Sequence, residues 1–310
     1  MKEPVLIVGT GAMACLFAAR LAAGGMGVTM LGSWEAGLAA LQADGVRLRE
    51  ADGREQRFPV RATSQPAECG GIPRAIVLVK SWQTPHAAAR LARALPPDGV
   101  ALSLQNGLGN RETLAQALGA ERVALGVTTV GAALVAPGVV QAGGTGVTSL
   151  GPHGRANSLR EMLRQADFSV DVVTNLDSLL WGKLAINAGI NPLTALLRIP
   201  NGQLLHRPTA TALMHAAALE TATVAAALGI SLPFPDPADA VTAVATRTAG
   251  NISSMLQDIQ RGAPTEIEAI CGEIIRAGES VGIPTPINRT LYQLVAALAA
   301  PPDEPLPQNP

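Results

Sequence analysis

Lysine is nearly absent from this chain: of its 23 basic residues only Lys2, Lys80 and Lys183 are lysines. Arginine serves wherever a plain positive charge suffices. Arginine effectively never releases its proton, whereas a buried ammonium can have its pKa lowered and can donate one, so Lys80 and Lys183 are candidates for lysine-specific work. Cysteine is also scarce. Cys15, Cys69 and Cys271 are odd in number, widely separated and in no metal-ligand spacing, which argues against a disulfide scaffold or a metal site and fits reduced thiols in a cytoplasm. Aromatic residues make up only 3% of the chain, so the 48% hydrophobic content comes largely from alanine, a good helix former. Uninterrupted apolar runs of about 18 residues are missing, as are the basic region and cleavage site of a signal peptide, and the expectation is a soluble, cytoplasmic protein. Charge of one sign is missing too. With 24 acidic residues against 23 basic ones and no long run of either, nothing favours an electrostatic grip on nucleic acid or an anionic membrane; a small molecule is the expected partner.

At 310 residues the chain is long enough for two domains. The first reads as α/β. Val5-Leu-Ile-Val-Gly-Thr-Gly-Ala-Met-Ala14 is a buried strand, a tight turn and the start of a helix running to about Ala23. Gly9 and Gly11 let the backbone turn and approach a pyrophosphate at the helix N-terminus, and Ala14 takes the small-residue position of a G-x-G-x-x-A fingerprint whose turn includes Thr10, Ala12 and Met13. A second strand, Gly27–Leu31, completes the β-α-β unit. After it an acidic residue would grip the ribose of NAD and a basic one the 2′-phosphate of NADP. Gly32-Ser-Trp-Glu35 gives neither signal cleanly: Ser33 can donate to a phosphate, and Glu35 sits late.

Alternation over Gly45 to Thr63 suggests a hairpin around Ala51-Asp-Gly-Arg54. Strands follow at Arg74–Val79 and Gly99–Leu104, with a helix between them from Gln83 to Leu95. Lys80 and Asn106 each come at a strand C-terminus, where ligands bind in doubly wound sheets. An exposed loop charge and a turn asparagine account for them equally well. After a helix at Arg111–Leu118, segments near 123–129, 138–141, 148–150 and 170–173 read as strands finishing the sheet.

From about Asn175 strand-like runs vanish and alanine-rich helical patterns take over, at Leu176–Ala188, Pro208–Leu228, Asp239–Thr248, Thr265–Val281 and Pro286–Ala299. The expected organisation is a Rossmann-type doubly wound domain over 1–174, an all-α domain over 175–300 and a disordered proline-rich tail over 301–310. Within the first of these helices Lys183, Asn187 and Asn191 fall four residues apart, within roughly one face, among apolar neighbours. A polar row in an apolar helix invites a ligand, although bridging asparagines and a snorkelling lysine would also satisfy it. A second polar cluster runs over Asn251-Ile-Ser-Ser254 and ends, past Arg261-Gly-Ala-Pro264, at Thr265-Glu266. Thr265 can cap the next helix, with Glu266 in its first turn, where a carboxylate is favoured by the dipole.

Together these blocks resemble the ketopantoate reductase (2-dehydropantoate 2-reductase) family over nearly the whole chain. The matching residues are Gly9-x-Gly11-x-x-Ala14, Val79-Lys80, Gln105-Asn-Gly-Leu-Gly109, Trp181-x-Lys183-Leu-x-x-Asn187, Ile190-Asn-Pro-Leu-Thr194, Asn201-Gly202, Asn251-x-Ser-Ser-Met-x-x-Asp258 and Thr265-Glu266. The resemblance implies an N-terminal Rossmann domain and a helical C-terminal domain. It implies Lys183 as the general acid that protonates a keto oxygen while NADPH delivers hydride, with Glu266 orienting the lysine. By the same resemblance Asn187 and Asn191 take the substrate's distal hydroxyl, Asn251 and Ser254 its carboxylate, and Asn106 bridges nicotinamide and substrate, with Asn201 a lesser member. Lys80 resembles a phosphate-side contact. Trp34 stands where the family commonly has an arginine facing the NADP 2′-phosphate, so NADP is expected and NAD stays open.

The expected activity is reduction of 2-dehydropantoate. Reduction of another branched 2-oxo acid, or a non-catalytic NAD(P)-sensing role, are the alternatives. Alanine-rich helices can pack within one chain or between two, which leaves a homodimer open.

Overall fold

The computed structural model describes residues 2–50 and 52–299, and the proline-rich tail lies outside them. The chain forms two compact units. One runs to Gln105 and resumes over Gly109–Leu176; the other takes Asn106–Leu108 together with the chain from Asp177 onward.

In the first unit the order is β1 (Lys2–Val8), α1 (Ala12–Ala23), β2 (Met26–Leu31), α2 (Glu35–Asp44), β3 (Val46–Arg49), β4 (Glu55–Phe58), β5 (Arg61–Thr63), β6 (Arg74–Val77), α3 (Thr84–Ala94) and β7 (Val100–Ser103). It continues with α4 (Asn110–Leu118), β8 (Val123–Thr128), β9 (Ala132–Ala136), β10 (Val139–Ala142), β11 (Val147–Leu150), α5 (Ala156–Arg164) and β12 (Ser169–Val172). Six strands pair in parallel in the order β5-β2-β1-β6-β7-β8, and β11 with β12 extends the edge beyond β8, β11 running antiparallel to it. The register sets Leu6 opposite Thr29 on one side and Ala75 on the other.

Both faces of this sheet are covered, which is why β1 reads as an unbroken apolar run rather than an alternating one. Val5 and Ile7 pack with Phe17, Leu21 and Phe168, whereas Leu6 and Val8 pack with Ala88, Leu91 and Leu114. Side chains along a strand alternate between faces, so one four-residue segment seeds two cores. Strand order reverses between β1 and β6, and ligands of such sheets bind at the strand C-termini beside that reversal. Gly9 and Lys80 follow the two strands that flank it.

Two expectations need correction here. Residues 139–141 do not finish the main sheet: β10 joins a second sheet in the order β4-β3-β10-β9. The hairpin β3–β4 forms as read, but β3 pairs in parallel with β10, Arg47 opposite Val139, because Val46, Leu48 and Val140 are buried in the same cluster as Leu16 of α1. Helices α2 and α5 were not anticipated. The first is a short Ala/Gly-rich segment with little apolar contrast between its faces, while α5 buries Leu159, Met162 and Leu163 along one side.

The second unit contains α6 (Leu176–Leu197), α7 (Pro208–Ala227), α8 (Pro237–Arg247), α9 (Ser254–Gln260), α10 (Glu273–Val281) and α11 (Pro286–Ala299). Helix α6 does not stop at Ala188 but continues through Pro192. An interior proline costs about 3 kcal/mol, and the burial of Ile190, Leu193 and Ala195, at up to about 1.5–3 kcal/mol per large side chain, offsets it. Thr265–Val281 is not one α-helix either, since a π-helical turn at Glu268–Gly272 precedes α10. The start of α11 is capped from outside: the Glu220 carboxylate accepts the N–H groups of Ile287 (2.8 Å) and Asn288 (2.9 Å). Among the described residues no helix is long and apolar enough to cross a membrane.

Gly9 has φ +125°, and a Cβ there would lie 3.2 Å from the Leu78 carbonyl. Gly9→Ala is therefore expected to cost about 1–3 kcal/mol. The check is a lower melting temperature of the cofactor-free protein, measured so that lost nucleotide binding does not contribute.

Candidate active site

The residues expected on the nucleotide side lie in the first β-α turn, after β2 and after β6. Gly9 N–H is fixed to the Leu31 carbonyl at 2.9 Å, which ties the turn to the end of β2. Gly11 is the residue before α1, has φ −82°, and a Cβ on it would meet nothing within 4 Å. The chain itself does not need glycine at that position, so the missing side chain leaves room for something outside the chain. No side chain caps α1 and no acidic residue lies in its first turn, which leaves the positive helix end for an anion. Those features fit a dinucleotide pyrophosphate held by Gly9, Thr10, Gly11, Ala12, Met13 and Ala14. Ser33 is exposed just after β2, Trp34 precedes α2 with its ring laid on Gly37, and Lys80 is half-buried after β6.

The remaining expected residues belong to the second unit, where they form two groups. The first centres on Lys183. It is half-buried on α6, and burial lowers its pKa to about 8 while the nearby Glu266 carboxylate acts in the opposite direction. Glu266 is 5% exposed, and its Oε2 accepts from Asn106 Nδ2 at 3.3 Å. Asn106 is held there by its own neighbours. Leu108 N–H donates to the Ala269 carbonyl at 3.0 Å, and Gly107, at φ +77°, lies so close to Ala269 that a Cβ would collide with its backbone. The π-helical turn thus anchors the three residues that the β7–α4 loop gives to this unit. Glu266 itself comes before the first helical residue, Ile267, whose N–H is 3.4 Å from Thr265 Oγ1.

The second group is built on the other half of α6. Asn187 and Asn191 follow Lys183 at steps of roughly 6 Å along the helix. Neither side chain has a hydrogen-bond partner among the described residues, although Asn191 is only 7% exposed. Hydrogen bonds tie the end of α6, residues 201–202 and residues 248–253 together. The Thr194 and Ser253 hydroxyls are 2.7 Å apart, Asn201 N–H donates to the Asn251 carbonyl at 3.0 Å, and Gly202 N–H donates to the Ala249 carbonyl at 3.0 Å. Asn201 Nδ2 donates to Thr248 Oγ1 at 2.9 Å, while its Oδ1 is buried without a partner. Ser254 is half-buried, its hydroxyl likewise without a partner among the described residues, and Asn251 is exposed. A buried amide oxygen and two unpartnered carboxamides in one unit amount to unfilled hydrogen-bonding capacity, which a polyhydroxylated or carboxylate ligand would fill.

Residues 5–155 match the family described as ketopantoate reductase PanE/ApbA, and residues 175–299 match its C-terminal domain. The chain belongs to the ketopantoate reductase family. A 2-dehydropantoate 2-reductase of Halobacterium salinarum is 36% identical over 297 residues, 94% of this chain and 97% of that protein. Among solved structures, a PanE/ApbA family ketopantoate reductase from Ralstonia eutropha superposes with a TM-score of 0.90 at 33% identity, covering 96% of this chain and 98% of the other. D-mandelate dehydrogenase in a ternary complex with NADH and anilino(oxo)acetate gives the same TM-score at 25% identity and the same coverage.

Sequence reasoning did not single out Thr194, Ser253 or Thr248 as individual residues. They carry no titratable group, and only the fold shows that their hydroxyls fasten the Asn251–Ser254 segment and Asn201 in place. Thr194→Val is expected to cost about 1–3 kcal/mol, the range for stranding a buried hydrogen-bonding partner. Denaturant unfolding checks the loss. Steady-state kinetics should show KM for the oxo acid rising while kcat stays near the wild-type value.

Proposed function

We propose that this protein reduces the 2-keto group of 2-dehydropantoate to give (R)-pantoate, with NADPH as the reductant, in the route to pantothenate and coenzyme A. The observation that carries the proposal is the lysine of lowered pKa beside Glu266, in a chain of this family and in a unit rich in unpartnered amides. When bound, the reduced nicotinamide supplies a hydride to C2 of the substrate. The keto oxygen then becomes anionic, and the Lys183 ammonium gives it a proton as the charge develops. Glu266 and Asn106 hold the lysine's surroundings in register. Asn187 and Asn191 take the distal hydroxyl, Asn251 and Ser254 take the carboxylate, and the Asn201 amide adds an acceptor. Afterwards Lys183 recovers its proton from solvent.

A lysine near pKa 8 suits this chemistry better than an ordinary one, because it is still protonated at neutral pH yet surrenders its proton more readily. The sign follows directly. Reduction needs the ammonium, so kcat should hold below pH 8 and fall about tenfold per pH unit above it. Oxidation of pantoate needs the free amine, and its rate should climb through the same range. Lys183→Ala should lower kcat by about a hundredfold or more and abolish this pH dependence, while nucleotide binding persists. Near-normal turnover in that variant would refute the assigned role.

A second reading has one observation in its favour: the structural likeness to D-mandelate dehydrogenase in its ternary structure with NADH and anilino(oxo)acetate. Parallel assays of NADPH and NADH oxidation with 2-dehydropantoate and with phenylglyoxylate separate the two. A higher kcat/KM for phenylglyoxylate would transfer the assignment to aromatic 2-oxo acids, and turnover of neither would favour a nucleotide-sensing role.

A further inference from the structure

Arg90, on α3, directs its Nη2 at two backbone carbonyls, those of Gly32 (3.0 Å) and Ser64 (2.6 Å). Gly32 directly follows β2 and Ser64 directly follows β5, the strand paired with it. Gly32 N–H also donates to the Thr63 carbonyl at 3.1 Å, so one guanidinium and two strand ends are held at one point. The fork is only partly used. Its Nε and Nη1 have no acceptor, and no carboxylate pairs with it, among the described residues. A planar cation pinned by one nitrogen, with further N–H groups to offer, is preorganised for a phosphate.

Its position gives the phosphate an identity. In sheets of this topology the dinucleotide's adenosine ribose sits off the end of β2, and the residue there distinguishes a 2′-hydroxyl from a 2′-phosphate. Here the loop after β2 contributes no cation. It offers the exposed Ser33 hydroxyl, an indole seated on Gly37 at Trp34, and Glu35, whose carboxylate is exposed in the first turn of α2. We propose that Arg90, reaching in from α3, is the specificity residue for the 2′-phosphate of NADPH, with the exposed residues Ser33 and Ser64, at the strand ends whose carbonyls it binds, as further hydroxyl donors. This deepens the NADPH reading of the proposed function and rests on it.

Calorimetric titration of the full-length protein with 2′,5′-ADP and with 5′-ADP tests the assignment without any turnover. Wild type should bind 2′,5′-ADP the more tightly. Arg90→Gln should weaken 2′,5′-ADP about tenfold or more, the range for losing a charge-assisted hydrogen bond, and leave 5′-ADP within about twofold. Arg90→Lys, which keeps the charge, should recover part of the difference, and a melting curve for each variant reports whether it is folded. Equal losses for both nucleotides would mean that Arg90 only bridges the strand ends, and the proposal would fall. It would fall equally if wild type showed no preference for 2′,5′-ADP, even if it reduced 2-dehydropantoate. A protein with no reductase activity that still showed the Arg90-dependent preference would sustain the nucleotide assignment and refute the proposed reaction alone.

Discussion

The cost of keeping an ammonium out of water is the constraint on which the second unit is organised. Lys183 is enclosed enough for desolvation to pull its pKa down to about 8, and the Glu266 carboxylate restrains that fall. A buried charge persists only where a partner is held in good geometry, because the partner must recover what hydration no longer gives. Glu266 is held through Asn106, Asn106 through the Leu108–Ala269 hydrogen bond, and Ala269 through the π-helical turn. The extra residue of such a turn shifts the carbonyls that follow out of ordinary helical register, and turns of this kind recur at functional sites.

Close approach of backbone is the second theme. Gly107 against Ala269 and Gly202 against Ala249 each bring two chain segments nearer than a side chain would permit, and Gly9, at φ +125°, lies tight against the Leu78 carbonyl. Gly11 differs, since the space beside it is open. The first three glycines are needed for chain packing, whereas a side chain at Gly11 would meet no neighbour in the chain.

The electrostatics of the two units differ for a chemical reason. A diphosphate would need donors and a positive field but no proton transfer, which backbone N–H groups and the uncapped end of α1 can offer. A carbonyl turning into an alkoxide needs a proton as well as a charge. Lys183 is set among buried apolar side chains, Trp181 and Leu184 on its own helix.

The periodicity of Val5–Val8, the glycine turn and the alanine-rich helical runs were legible because each is local: alternation, turn chemistry and helix propensity act over a few residues. The row Lys183, Asn187, Asn191 was legible for the same reason, as three positions on one helix. What the sequence did not disclose depends on residues far apart in the chain. The pairing of β3 with β10, the continuation of α6 through Pro192, the clasp of Thr194 on Ser253 and the reach of Arg90 to Gly32 all involve partners or burial set by other segments, and tertiary packing overrides local preference there. The sequence by itself determined where the first strands, the glycine turn and the alanine-rich helical runs lie, and which chemical groups are present. Only the tertiary structure decided which of those groups are dehydrated, which face one another and which are left without a partner, because desolvation and hydrogen-bond satisfaction are properties of the packed interior and not of the chain read along its length.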